Sequence, residues 1–438
     1  MQHPVLILDD NSPNAQWIAR RVREAHIFST LLPMHSSLEK MTADAPQAII
    51  VAAGPEGVRA IDSDLRNLRL PMLVAVPHGA PNIEADPQNK IYTTEYSPDS
   101  EHTQEGTEAL HRFLFEEAEI QHNWTVDQFI EETTERIRAQ VGDGHAILGL
   151  SGGVDSAVSA ALMERAIGDR LTCIFVDHGL MRADEGEQVE RVFREKFNVT
   201  FHKVDARKRF LDKLKGVTEP EKKRKIIGEE FIRVFEEAKA QAKGAKFLVQ
   251  GTIYPDIIES GATEGGVIKS HHNVGGLPED VDFTIVEPLR MLFKDEVRKV
   301  GEALGLPKHM VDRHPFPGPG LGIRVIGEIT EERLDILRRV DKIYIQMLRE
   351  HDLYDKIWQA FAVLPDVRTV GVTNDRRTYG HLVGLRAVNS VDAMTAVAYP
   401  FDPAFLEEAQ RRIIEAVPEV NRVVYDITSK PPGTIEWE

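Results

Sequence analysis

Within residues 1–118, short apolar runs alternate with amphipathic stretches. Val5–Leu8, Ala48–Ala52 and Met72–Val76 are unbroken apolar runs, the pattern of strands buried on both faces. Ala15–Arg23 and His102–Phe115 carry apolar residues at helical spacing. This alternation predicts an α/β unit with parallel strands. Gln121-His-Asn-Trp124-Thr-Val reads as a linker, and Thr125 is placed to cap a helix over Val126–Gln140.

A second α/β alternation begins at the strand-like run Ala146–Leu150. A helix pattern follows at Ala157–Ala166, then apolar runs at Leu171–Val176 and Phe247–Gln250. A Lys- and Glu-rich helical stretch, Glu219–Lys243, lies between these last two runs, and Gly261–Gly276 reads as a polar, glycine-rich mobile loop. The cluster Pro315-Phe-Pro-Gly-Pro-Gly-Leu-Gly322 breaks regular structure and marks a boundary. Beyond it, helix patterns (Glu331–Glu350, Pro403–Ala416) mix with strand-like runs (Val367–Thr373, Leu382–Val388, Arg422–Ile427), an α+β arrangement. Three domains are expected, over 1–118, 119–312 and 313–438.

Composition narrows the function classes. The 438 residues carry a formal net charge of −17, which opposes non-specific binding to nucleic acid or to an anionic membrane. No apolar run reaches the ~20 residues that span a bilayer. The single cysteine, Cys173, excludes an internal disulfide and a paired-cysteine metal site, and the cytoplasm is the expected compartment. Cys173 lies in an apolar run and reads as a core thiol.

The chemistry is concentrated in Ser151-Gly152-Gly153-Val154-Asp155-Ser156, between a strand and a helix. A helix start behind a glycine turn offers unpaired N–H groups to a phosphate. Ser151 and Ser156 add hydroxyls. Asp155 would repel a bare anion, and makes sense if it holds Mg²⁺ together with phosphate oxygens. The hexapeptide lacks the lysine of a Walker loop and is not a dinucleotide GxGxxG. The plain alternative is a tight turn of small residues.

SGGVDS resembles the PP-loop of the ATP pyrophosphatases, which cleave ATP between its α and β phosphates. Further segments are similar to the GMP synthetase family: Val176-Asp-His-Gly-Leu-Met-Arg182, Gln250-Gly-Thr-Ile-Tyr-Pro-Asp256, Ile268–Pro278, Phe293-Lys-Asp-Glu-Val-Arg298, Pro315–Arg324 and the tail Val424–Glu438. The resemblance covers residues 120–438. It implies that the C2 oxygen of XMP attacks ATP, that adenyl-XMP forms as PPi leaves, and that ammonia then displaces AMP to give GMP. It further implies that Ser151–Ser156 hold pyrophosphate, that Asp155 and Glu296 bind Mg²⁺, and that Lys294 neutralises the leaving group. Val176 would line the adenine pocket. Lys269, Ser270, His271, His272 and Asn273 would lie in a lid. Arg324, Lys430, Thr434, Ile435 and Glu436 would bind XMP. A homodimer joined through the C-terminal domain is expected. Read alone, Lys294 and Glu296 belong to an ordinary solvated helix start, and His271-His272 lacks a third metal ligand.

Val5-Leu-Ile-Leu-Asp9, Ile18–Glu24, Ala53-Gly-Pro-Glu56, Pro71–Gly79 and Glu95-Tyr-Ser-Pro-Asp99 resemble the segments of a truncated class I glutamine amidotransferase of flavodoxin-like fold. Such domains release ammonia with a Cys-His-Glu triad. Here those positions are occupied by Val76, Ser97 and Asp99, and only 21 residues separate the first two. Valine is no nucleophile, so this region is expected not to hydrolyse glutamine. Ammonia would come free in solution or from a separate amidotransferase subunit. Two alternatives stay open: a non-catalytic nucleotide-binding regulator, and a PP-loop enzyme acting on another carbonyl.

Overall fold

The structure is a computed structural model that describes residues 3–12, 14–96, 104–239, 242, 244–260, 283–373, 376–390 and 394–438. The lid positions 269–273, the glycine-rich loop 261–276, and Ser97 and Asp99 lie outside the described residues. The chain divides into two compact units, Met1–Glu131 and Glu132–Glu438.

The first unit is built on a five-stranded sheet: β1 (Val5–Asp10), β2 (Ser29–Pro33), β3 (Ala48–Ala53), β4 (Met72–Pro77) and β5 (Ile91–Tyr96). The order is β2-β1-β3-β4-β5 and every pair is parallel. The apolar runs became the central strands, because a strand covered on both faces needs no polar positions. Leu6, Leu8, Ile49, Val51, Val74 and Val76 share one face, at the period of two that a pleated strand imposes. The flanking strands β2 (STLLP) and β5 (IYTTEY) are partly polar and carry no such signal. The helix expected over His102–Phe115 runs Gln104–Arg112 and loosens into a π turn, Phe113–Glu117.

The second unit holds two sheets. The first comprises β6 (His145–Leu150), β7 (Leu171–Asp177), β8 (Thr200–Asp205), β9 (Ala245–Val249) and β10 (Thr284–Val286), all parallel, in the order β10-β9-β6-β7-β8. The chain moves outward from β6 through β7 to β8, then returns to β9 on the other side of β6. The switch point of this doubly wound sheet therefore lies between β6 and β9, where such sheets open a crevice beyond their strand ends. The other sheet is mixed. The long strand β13 (Arg376–Asn389) pairs antiparallel with β11 (Gln359–Val363), β12 (Arg368–Thr373) and β14 (Val397–Ala398), and parallel with β15 (Val420–Asp426).

One continuous core links these two sheets. It runs from Ile147 and Val176 through Phe235 to Leu337 and Tyr344 of the helix Glu331–Glu350, and on to Ala360, Leu385 and Ile413. Residues 119–312 and 313–438, expected as separate domains, thus bury their apolar faces against each other. Thr125 caps its helix as expected, its hydroxyl accepting from Gln128 N at 3.2 Å. Among the described residues, no helix is long and apolar enough to cross a membrane.

Candidate active site

The loop Ser151–Gly153 joins β6 to the helix Val154–Ile167 at the switch point. Gly152 has φ +80°, and a Cβ there would meet Met181 at 2.6 Å, so glycine is needed. Ser156 Oγ donates to Gly153 O at 3.0 Å, and Gly153 N donates to Ser151 Oγ at 3.3 Å. The helix start that follows Gly153 directs its first N–H groups to the same place.

A cavity of about 490 Å³ opens above this loop, within the range of small-ligand sites. Ser151, Gly153, Val154, Asp155 and Ser156 line one side; Leu248–Gly251, from the end of β9, line another. Val176, Phe231, Phe235 and Phe316 provide apolar wall. A larger cavity of about 690 Å³ lies on the other side of Gly152. It contains neither Asp155 nor Lys294, so the chemistry belongs to the smaller one.

Asp155 and Lys294 are 139 positions apart in sequence and meet here. Lys294 Nζ donates to both carboxylate oxygens, at 2.8 and 2.6 Å. Glu296 does not line the cavity. Its carboxylate accepts the Phe293 N–H at 2.8 Å in a capping contact at the start of its own helix, and the residue is 5% exposed. Among the described residues, no group of three or more His, Cys, Asp or Glu could hold a metal. Mg²⁺ needs no such cage when phosphates complete its shell, so Asp155 fits a Mg²⁺ that arrives with a polyphosphate; Glu296, as placed, does not.

Three further side chains, to which the sequence pattern assigned no role, meet here. Arg313 backs the loop from below, donating to Gly152 O at 2.6 Å and to Glu185 at 2.7 Å. Arg182 is buried against Asp341 at 3.1 Å and donates to Ala360 O at 2.9 Å. His314 stacks on Tyr354 with ring centroids 3.9 Å apart. Arg313 and His314 stand directly before the PFPGPG cluster, and that adjacency was the available hint.

The residues expected at the acceptor site gather on the C-terminal tail. Arg324 is fully buried, lies over the Phe361 ring at 4.1 Å, and donates to Glu436 through Nε at 3.0 Å and Nη2 at 2.8 Å. Among the described residues its buried Nη1 has no partner, which leaves a donor to be satisfied. Gln359 also donates to Glu436, at 2.8 Å. Ile435 is buried among Phe361, Val363, Val388 and Ala396. Thr434 and Glu436 line a shallow cavity of about 460 Å³ with Trp437. Lys430 pairs through its backbone with Ala396 and is half-buried.

In the first unit, Val76 is fully buried on β4. His78 lies on the surface, paired with Glu95 at 2.6 Å. The connection 78–90 from β4 to β5 contains only the short turn Pro87–Asn89, with no α-helix to build a nucleophile turn on.

The loop, the switch point and the cavity define a class: a nucleotide-binding α/β protein of the PP-loop type. The chain is 45% identical to a GMP synthase (glutamine-hydrolyzing) of Symbiobacterium thermophilum, covering 99% of each chain. It is equally similar to one of Clostridium tetani, again over 99% of each. The model for the GMP synthase C terminal domain matches residues 346–437, and that for NAD synthase matches 126–233. The chain belongs to the GMP synthase family. The alignment with the Symbiobacterium protein spans 506 positions against 438 residues, so at least 68 positions are gaps in this chain.

Two buried histidines give this region a pH dependence. Nδ1 of His178 accepts from Leu180 N at 3.0 Å, and Nδ1 of His314 accepts from Ala360 N at 3.1 Å. Both rings are therefore neutral, and burial pushes each down to about 4 from the ordinary 6.5. Unfolding lets them take up protons at higher pH, so stability is present above 6.5 and is lost as pH falls through 4. Each contributes on the order of 3 kcal/mol across that window. Thermal midpoints should fall from pH 6.5 to 4, and NMR should show both rings neutral at pH 6; protonation there would overturn the assignment.

Proposed function

We propose that this chain aminates XMP to GMP, using ATP and releasing AMP and PPi, with ammonia rather than glutamine as its own nitrogen source. The observation that carries the first part is the Asp155–Lys294 contact inside the loop cavity. An aspartate at an anion-binding helix start must be neutralised, and here a lysine does so through both oxygens. When a triphosphate enters, Lys294 can turn from Asp155 to the departing pyrophosphate. Asp155 is then free for the Mg²⁺ that accompanies the phosphates, which would supply charge neutralisation there. The backbone N–H groups and hydroxyls of Ser151–Ser156 would hold the pyrophosphate, and Val154 and Val176 would border the nucleotide. Catalysis is alignment and charge stabilisation, with no covalent enzyme intermediate.

The acceptor would lie against Arg324, Lys430 and the tail Thr434–Glu436, its C2 oxygen attacking the α-phosphate to form adenyl-XMP. The unpartnered Nη1 of Arg324 supports a ligand there. Glu296 enters this reading as a cap that orients the helix bearing Lys294. The domain division 1–118, 119–312 and 313–438 is retained as a division of roles: a degenerate amidotransferase, an ATP pyrophosphatase and an XMP-binding domain. A cytoplasmic location is in keeping with the free, buried Cys173.

The loss of glutaminase rests on Val76. The position that aligns with the family's nucleophile would be held by a fully buried aliphatic side chain, and the connection 78–90 that follows contains no α-helix. The Symbiobacterium relative, named as glutamine-hydrolyzing, aligns over 68 more positions than this chain possesses. Free ammonia or a separate amidotransferase subunit would supply the nitrogen. Val370 and Tyr379 face each other across β12 and β13 and are 49% and 69% exposed; with Val372 at 72%, they form an apolar surface suited to a homodimer.

Asp155→Asn should cut XMP-dependent PPi release by about 10²-fold or more; an unchanged rate would remove Asp155 from the site. GMP should form from XMP, ATP and Mg²⁺ with an ammonium salt, and not with glutamine as nitrogen source; turnover of glutamine by the purified chain would sink the second part. Tyr379→Asp should shift the mass measured by light scattering from dimer to monomer, whereas an unshifted dimer would place the interface elsewhere.

A further inference from the structure

The far end of the tail is held by a second ion pair, buried and separate from Arg324–Glu436. Lys223 has no exposed surface, and its partner Glu438 is 5% exposed at the side chain. Lys223 Nζ donates to Glu438 Oε2 and, at 2.8 Å, to the carbonyl of Val325. The other carboxylate oxygen of Glu438 accepts the Gly327 N–H at 3.2 Å. Arg224 donates to the main-chain oxygen of Glu438 at 2.5 Å.

The placement of these groups is specific. Lys223 belongs to the helix Pro220–Lys239, which also carries Phe231 and Phe235 into the wall of the loop cavity. Val325, its second acceptor, directly follows Arg324. Glu438 stands two residues beyond Glu436. One amine therefore ties the tail both to the turn that presents Arg324 and to a helix of the ATP cavity. Burying an amine and a carboxylate opposes folding unless each is fully paired. Apolar contacts such as that of Ile435 could anchor a tail without that cost. What the ion pair adds is register, because a slip by one residue would leave two buried charges unpaired.

We propose that Lys223 is a positioning residue for the acceptor nucleotide. With Glu438 it latches the tail, so that Glu436 meets Arg324 and the XMP surface is formed. This rests on the reading of the tail as the XMP site. Lys223 touches no substrate and acts through the tail.

Lys223→Met keeps the length of the side chain and removes its charge; Glu438→Gln keeps the shape of its partner. The full chain and each variant would be assayed for PPi release with XMP and ATP varied in turn. The KM for XMP should rise about tenfold or more in each variant, while the KM for ATP changes by less than about threefold. The double variant should be no worse than the poorer single, since both changes open the same latch. A KM for XMP left unchanged in the singles, a parallel rise for both substrates, or multiplied effects in the double variant would each overturn the proposal. If Lys223→Met fails to fold, Glu438→Gln carries the test, with hydrogen exchange of residues 434–438 expected to quicken. Absence of XMP-dependent PPi release in the unmodified chain would instead defeat the XMP reading, and it would be seen before any variant was made.

Discussion

Everything in the larger unit is arranged around one electrostatic constraint: a chain of net charge −17 must present a positive pocket to phosphate. The helix start behind Gly153 supplies part of that potential, and Asp155 works against it. The bidentate contact from Lys294 resolves the conflict, at a distance that no local sequence feature could arrange. It requires the helix Lys294–Ala303 to pack against the helix Val154–Ile167. Gly301 lies at that packing surface, where a Cβ would meet Val158 at 2.9 Å. Glu296 contributes from behind by capping the helix that delivers the lysine.

The breaker cluster Pro315–Gly322 turns out to be a junction. Phe316 lines the loop cavity, and the guanidinium groups of Arg182, Arg313 and Arg324 lie 5.6, 5.1 and 5.1 Å from its ring centre. Cations near an aromatic face are attracted to it, more strongly when desolvated. Each arginine also has an acidic partner: Asp341, Glu185 and Glu436 respectively. Positive charge is thereby held beside the cavity without free mobility. The same junction brings the phosphate loop, through Arg313, close to the tail that Arg324 binds. A shared apolar core runs beneath this junction.

The first unit is a parallel sheet whose central strands are buried on both faces. Its five strands pair in parallel along the whole order, and Val76 contributes to the buried face of β4. A valine there stabilises the sheet by burial, on the order of 1.5–3 kcal/mol for a side chain of its size. The connection 78–90 that follows holds only the short turn Pro87–Asn89.

The sequence by itself determined what local pattern can carry. The apolar runs marked β1, β3, β4, β6 and β7, and the hexapeptide located the phosphate loop. These signals survive because each depends on neighbouring residues only: unbroken burial for a central strand, glycine conformation for the loop. The edge strands β2, β5, β8 and β10 escaped detection because half-exposed strands tolerate polar residues. Only the tertiary structure decided which charges meet. It joined Lys294 to Asp155, put Arg313 behind Gly152, turned Glu296 from an expected ligand into a cap, and closed Lys223 on Glu438. Ion pairs between distant residues are set by how helices and sheets pack, and a side chain's identity says nothing of the partner that packing will bring to it.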